Sequence, residues 1–473
     1  MTREPSALFT DLYQLTMMQG YELSGIPDRL AVFDLFLRRL PYEGGYAVAA
    51  GLEDVVRFLT GLRFLPEEIA YLRGLGLFRE PFLRRLSEFR FHGDLDAVPE
   101  GTLVFPWAPI LRVTAPIGEA QLVETALLNL VNFETLVATK AARVCGEAGW
   151  ESVVEFGLRR AHGPDGGFRA TRAAFAGGCA ATSNVEAGRM FGIPVRGTMS
   201  HSWVTAFDDE IAAFRAYAAI YPDDAVLLVD TYDTLASGVP NAIRVGLEMR
   251  ERGERLLGIR LDSGDLAYLS SEARRMLDAA GLTDARILAS NEIDEWIVHD
   301  LRAQGAAIDS WGIGTSIVTG KGDGALTGVY KLAAIQEETG AWLPKRKRTD
   351  APEKSNLPGI KQVYRLHGAD GYMMGDLVEL ESAPPDPSGG IVGRHPILAQ
   401  LEKRYEPVAR VEPLLRPVLR RGSLVTALPG LQEIRGVLRE QLERLHPTSR
   451  RLLHPHVYKV SIGPALRELL EQM

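Results

Sequence analysis

The strongest constraint on the fold lies roughly between residues 190 and 320, where five short polar bursts each follow an apolar, strand-like run. In chain order they are GIPVRGTMSHSW around His201, VLLVDTYDT around Asp230, LLGIRLDSGD around Asp262, RILASNE around Asn291 and DSWGIGT around Gly314. From 225 to 315 the strand-like runs start roughly 23–32 residues apart, the length of one strand with its return helix. Strands joined in that way run parallel, so the spacing predicts an α/β fold, either a barrel or an open doubly wound sheet. In both, chemistry gathers at the C-terminal strand ends. Five polar ends therefore predict one shared pocket for a phosphorylated, hydroxyl-rich small molecule.

Composition bounds the alternatives. The chain has 473 residues, 46% hydrophobic and 24% charged, enough for two or three domains with a large core. A net charge of -8 gives no reason to expect a nucleic-acid or membrane-surface partner. The two cysteines, Cys145 and Cys179, are expected to be small buried hydrophobes and argue against a Cys-rich zinc site. MTREPSALFTDLYQL lacks the apolar run of a secretion signal, and no stretch of 18 apolar residues occurs, so a cytoplasmic location is expected. Only nine of the 53 basic residues are Lys, which singles out Lys140, Lys321 and Lys331.

Organisation follows from periodicity. Residues 1–130 read as an N-terminal α+β domain: a helix over TDLYQLTMMQGYEL capped by Thr10, a strand over RLAVFDLFLRRLP, helices over LEDVVRFLTGL and PEEIAYLRGL, then short strands or a β-barrel-like layer through AVPEGTLVFPWAPILRVTAP. Residues 131–340 hold the α/β series, entered through a long helix from about 121. Residues 341–473 begin with a basic loop containing KRKR (345–348), a candidate anion-binding loop. A hairpin over VYRLHGADGYMMGDLVELES and amphipathic helices follow, expected to pack back on the N-terminal domain.

Particular residues carry the chemistry. In RLDSGDL, Asp262 and Asp265 flank Ser263-Gly264, a set suited to ribose hydroxyls or Mg²⁺, or equally to an N-cap and tight turn. Gly312 and Gly314 with Thr315 offer backbone N–H groups and a hydroxyl to phosphate. There is no Walker ending and no GxGxxG after the first strand, which excludes a P-loop ATPase and a dinucleotide fold. His201 sits among Thr198, Ser200 and Ser202 and suits a general acid/base or nucleophile, without the GxSxG elbow of a serine hydrolase. Phe156 suits stacking on a flat ring, and Arg159 suits phosphate. Lys140 and Arg143, one helical turn apart, are a surface pair or an anion site.

Taken together, TDLYQLTM, EFGLRRAHGPDGG, SNVEAGRMFGIPVRGTMSHSWV, IRLDSGDL, SWGIGTSIVTG, GVYKL and KSNLPGIKQVYR resemble the nicotinate phosphoribosyltransferase family in order and spacing, from about residue 8 to about 380. The resemblance implies an irregular α/β barrel joined to an α/β domain built from both chain ends, and a homodimer with shared active sites. It implies that nicotinate and phosphoribosyl pyrophosphate give nicotinate mononucleotide and pyrophosphate in NAD salvage, with Mg²⁺ required and ATP hydrolysed through a phosphohistidine. By motif position His201 is the implied phosphohistidine, and Asp262 is a second implied catalytic residue, near the ring nitrogen or ribose. Tyr13, Phe156, Thr198 and Arg260 would hold nicotinate. Lys140, Arg159, Ser263, Asn291, Gly312, Gly314 and Thr315 would hold phosphoribosyl pyrophosphate. Asp230 and Asp233 are further candidates, and Lys331, Lys347, Lys354 and Lys361 could serve pyrophosphate or ATP. No zinc is expected, since no Cys follows 179. The alternatives are a nicotinamide or quinolinate phosphoribosyltransferase, or a non-catalytic metabolite-binding barrel.

Overall fold

A computed structural model describes residues 6–347, 354–398 and 400–473. It divides into two compact units, Met1–Thr139 with Gly322–Met473, and Lys140–Lys321. Arg348, the last residue of KRKR, lies outside the described residues.

The second unit contains the predicted series. Its sheet has six strands: Val153–Glu155 (β1), Ala181–Thr182 (β2), Val226–Leu228 (β3), Gly258–Leu261 (β4), Arg286–Asn291 (β5) and Ser310–Ile313 (β6). They lie in the order β2-β1-β6-β5-β4-β3, and every pairing is parallel. Side chains alternate between faces, and parallel register puts paired residues on the same face. Ile259, Leu261, Ile287, Ala289, Trp311 and Ile313 therefore share one face, and all are buried. Leu228, Arg260, Leu288 and Ser310 share the other. Continued two residues toward the strand ends, that second face carries Asp230, Asp262, Ser290 and Gly312.

The expected barrel is corrected: among the described residues the edge strands β2 and β3 do not pair, so the sheet is open. Beyond β2 there is one parallel bridge, Thr182 to Val195. The chain then becomes Arg196-Gly197-Thr198-Met199-Ser200, too polar to continue an apolar strand. The Met199 carbonyl accepts from the Arg260 side chain at 3.2 Å instead of from a neighbouring strand.

The first unit is mostly antiparallel, with one parallel pairing between Met373–Leu380 and Val460–Ile462. A seven-stranded sheet centres on Leu30–Leu37, flanked by Gly328–Gln336 and Pro109–Pro116, so residues from both sides of the second unit in sequence share one sheet. The segment expected to form a β-barrel-like layer joins this open sheet and a two-stranded one. A six-stranded sheet holds the predicted hairpin, Lys361–His367 with Met373–Leu380, and is backed by Pro464–Gln472. The first helix begins at Leu12 with Asp11 rather than Thr10 as N-cap: Gln14 Oε1 accepts from the Asp11 N–H at 3.2 Å, and the Asp11 carbonyl accepts from the Gln14 N–H at 3.1 Å.

Candidate active site

The polar strand ends of the second unit converge on Arg260. Its Nε donates to Ser290 Oγ at 2.7 Å, its Nη1 to Thr198 Oγ1 at 3.0 Å and to Met199 O at 3.2 Å, and its Nη2 to Asp262 Oδ1 at 2.8 Å. A guanidinium has five N–H donors. Four are engaged, leaving one on Nη2. The guanidinium also lies 5.8 Å from the centre of the Phe156 ring, so a cation and an aromatic face meet at a corner. Thr198 Oγ1 also donates to the Met199 carbonyl at 3.2 Å, so the corner offers an aromatic ring, one unengaged guanidinium N–H and a hydroxyl.

Asp262 links this corner to His201. Burial works to raise its pKa, but the Ser290 hydroxyl hydrogen bond, the Arg260 guanidinium and His201 outweigh it and hold the carboxyl below the usual range. Its second oxygen stands 3.5 Å from His201 Nε2, while His201 Nδ1 is 3.1 Å from Thr231 Oγ1. The imidazole is thus oriented on one side and faces a carboxylate on the other. It opens the short helix His201–Thr205 and is 44% exposed, hence reachable by a ligand.

Behind Asp262, Asp230 Oδ2 accepts from the Asp262 backbone N–H at 2.9 Å and from Ser263 Oγ at 2.6 Å. Its Oδ1 is buried and has no hydrogen-bond partner among the described residues. Such an oxygen costs free energy unless a ligand or ion satisfies it. Asp265 caps the helix Leu266–Ala279 through the Tyr268 N–H at 3.1 Å. The loop RLDSGDL therefore combines a turn, a cap and a site, with Gly264 at φ +78 supplying the left-handed turn. Asp233 likewise caps Thr234–Gly238.

At the other end, Gly312 and Gly314 make room for Phe156. A Cβ on Gly312 would come within 2.4 Å of the Phe156 ring, and one on Gly314 within 2.7 Å of the Phe156 carbonyl oxygen. Asn291 has φ 137, a backbone conformation uncommon outside glycine and frequent at functional sites. Thr315 donates to Glu292 at 3.1 Å and Ser316 to the Ile293 carbonyl at 2.6 Å, tying the ends of β5 and β6 together. Arg159 is exposed on the turn Leu158–Arg160, just after Phe156.

Other sequence candidates lie in different settings. The Lys140 ammonium is buried and pairs with Glu295 at 2.7 Å, and Arg143 binds the same carboxylate at 3.0 Å. Burial lowers the Lys140 pKa against that pairing. Lys321 pairs with Asp294 at 2.8 Å. Tyr13, Lys331, Lys347, Lys354 and Lys361 belong to the first unit. Tyr13 is 46% exposed and accepts from Gln14 Nε2. Lys361 is buried against Asp34 at 2.7 Å, and Lys331 is half-buried with its pKa lowered by burial. Lys347 and Lys354 are exposed.

Sequence reasoning missed Ser290, Thr231 and Glu155. Ser290 was findable by strand parity, since it lies next to Asp262 on the same face. Glu155, a carboxylate in an apolar strand, accepts from Thr182 at 2.7 Å and Thr171 at 3.0 Å and also binds the Gly157 N–H, so it fixes the turn that presents Phe156. Burial raises its pKa.

Residues 8–132 match the family model for the nicotinate phosphoribosyltransferase (NAPRTase) N-terminal domain, and residues 360–470 match that for the nicotinate phosphoribosyltransferase C-terminal domain. Nicotinate phosphoribosyltransferase of Bacillus subtilis is 44% identical over 458 residues, 97% of this chain and 93% of the relative. The human protein of that name is 38% identical over 527 aligned positions, 98% of this chain and 96% of the relative. The crystal structure of human nicotinic acid phosphoribosyltransferase superposes with a TM-score of 0.84 at 36% identity, covering 98% of this chain and 99% of that one. Nicotinate-nucleotide pyrophosphorylase from Pyrococcus furiosus shares the fold, with a TM-score of 0.72 at 24% identity over 93% of this chain and 95% of that one.

Proposed function

The chain belongs to the nicotinate phosphoribosyltransferase family, and on that premise we propose how its residues carry out the reaction. The enzyme joins nicotinate to phosphoribosyl pyrophosphate in NAD salvage: the bond from ribose C1 to pyrophosphate breaks, and one from C1 to the pyridine nitrogen forms. The observation that carries the reading is the Arg260 corner, a guanidinium and a hydroxyl beside an aromatic face, set against His201 and Asp262 on one sheet face.

Nicotinate stacks on Phe156, its carboxylate on Arg260 Nη2 and Thr198. Such positioning matters more than activation, because the pyridine nitrogen already carries its lone pair. As pyrophosphate departs, positive charge grows on the ribose. Asp262, already held ionised, stabilises it without having to lose a proton at that moment. Ser263, Asn291 and Thr315, at the ends of β4, β5 and β6, hold the ribose phosphate, and Arg159 closes on it.

ATP enters through His201. A ring nitrogen attacks the terminal phosphate, an N–P bond forms, and the P–O bond to departing ADP breaks. Thr231 at Nδ1 fixes the ring orientation. Water later cleaves the phosphohistidine. Mg²⁺ fits this site as a partner of substrate phosphates: Asp230 offers an unpartnered buried carboxylate oxygen and Asp262 a second acidic oxygen, a donor set suited to that ion. When bound it supplies charge neutralisation to the phosphates. The same reading takes the chain as a cytoplasmic homodimer that shares its active sites, with Tyr13 contributed by the partner as the second face of the ring clamp. Among the described residues no helix is long and apolar enough to cross a membrane.

The test is formation of nicotinate mononucleotide from nicotinate and phosphoribosyl pyrophosphate, with and without ATP. Mass spectrometry should find an acid-labile phosphate on His201 under turnover. Preference for nicotinamide, or full ATP stimulation in His201→Ala, would sink the assignment.

A further inference from the structure

We propose that the C-terminal part of the first unit carries a second anion site, a groove of about 470 Å³ that takes a phosphate-bearing small molecule. It is separate from the strand-tip site in both residues and sheet. Three chain segments form it. The hairpin turn between Lys361–His367 and Met373–Leu380 supplies Tyr372. The strand Glu402–Tyr405 supplies Lys403. The stretch from Leu445 to Lys459 supplies His446, Arg451, His456 and Lys459. The Thr448 carbonyl accepts from the His456 N–H, and Asp376 N–H donates to the Lys459 carbonyl, both at 2.9 Å, so backbone bonds hold the rim.

The charge is lopsided. Five basic or imidazole side chains line the groove against one carboxylate, Asp370. That carboxylate turns back on its own hairpin and accepts from the Tyr372 N–H at 3.1 Å. Lys403 donates to the Met374 carbonyl at 3.2 Å and lies 4.7 Å from the Tyr405 ring centre, which leaves ammonium donors available. Its pKa is lowered first by burial and then by the charge of Lys459. The same two causes lower His395. Like charges held together in a half-enclosed groove favour an anion between them. His446 is oriented by Thr448 at 2.7 Å and packs against the Tyr372 ring with centroids 5.5 Å apart. The floor is apolar and fixed: Tyr458 stacks on Phe105 at 3.7 Å, with buried Leu445 and Met373 beside it. The volume falls in the range of small-molecule pockets, roughly 300–1,000 Å³. The groove therefore accepts the phosphate on its cations and a ring or sugar over the Tyr372–Tyr458 floor.

Binding of adenosine monophosphate and of inorganic phosphate to the full chain, measured by titration calorimetry, tests the site. Wild type should show a class of phosphate binding that the exposed double variant Arg451→Gln/Lys459→Gln weakens about tenfold or more, the loss expected for charge-assisted hydrogen bonds. Turnover with no phosphate ligand beyond the substrates should be unchanged in the double variant, which separates this groove from the strand-tip site. Tighter binding of the nucleotide than of phosphate supports the apolar floor as part of the site. Adenosine monophosphate should also protect Lys459 from amine acylation, read by mass spectrometry. Equal stoichiometry and affinity in wild type and double variant, or unprotected Lys459, overturns the proposal.

Discussion

Two arginine–aspartate pairs in this chain occupy different surroundings. Arg365 and Asp376, in the first unit, are 0% and 1% exposed and joined by two hydrogen bonds of 2.8 Å. Gln441 and the Leu103 carbonyl take further guanidinium donors, and Tyr458 donates to the carboxylate. Arg260 and Asp262, in the second unit, are 12% and 25% exposed, and one 2.8 Å bond joins them. One carboxylate oxygen stops 3.5 Å from His201, and one guanidinium N–H has no partner among the described residues. The closed pair has its donors and acceptors turned inward and fixes three segments of chain. The half-open pair keeps capacity in reserve on the side a ligand approaches. Lys140–Glu295–Arg143 and Lys361–Asp34 are likewise buried ion pairs.

The comparison breaks most directly at His201, which faces the open pair. His201→Ala should lower ATP-stimulated product formation by about 10²–10⁴-fold, the usual weight of a group handling the reacting atoms, with melting temperature unchanged. Next come the two arginines. Arg365→Ala should destabilise by about 3–5 kcal/mol, since it strands a buried carboxylate, and denaturant titration reads that loss. Arg260→Ala should destabilise clearly less than Arg365→Ala and lower kcat/KM by roughly 10²-fold, a loss of about 2–3 kcal/mol of charge-assisted bonding. If both variants unfold alike, the distinction fails. Gly312→Ala displaces the Phe156 ring and should cost about 10²-fold in kcat/KM, mostly through KM for nicotinate. Ser290→Ala, which removes the hydroxyl shared by Arg260 and Asp262, should cost about fivefold, near 1 kcal/mol.

The smallest effect is one of pH. The folded Asp262 carboxyl lies below its unfolded value of about 3.9. Its contribution to stability is therefore fully present above that value and is lost as pH falls through the lower folded one. Asp262→Asn should flatten this acid limb of the stability curve, read by denaturant titration between neutral and acid pH. An acid limb unchanged in Asp262→Asn would show that the pair contributes no such linkage.

Much of this was legible in one dimension. The βα spacing announced parallel strands, and the polar ends at Arg260, Asp262 and His201 announced where they meet. Strand parity alone would have added Ser290. The open sheet was not legible, because ring closure depends on whether the chain after Val195 pairs with β3, and no local pattern encodes that distant choice. Lys140 shows the same limit: no local pattern says that the fold brings Glu295 against it.

By itself, then, the sequence determined the periodic elements, the parallel architecture of the second unit and the chemistry at its strand ends, since these depend on neighbours a few residues apart. Only the tertiary structure decided which charged groups are enclosed and which remain available. Partners such as Asp34 with Lys361, or Thr231 with His201, come from separate elements, and burial by those elements sets the electrostatic environment. A charged side chain becomes scaffold when packing closes every direction around it. It becomes machinery when one direction stays open.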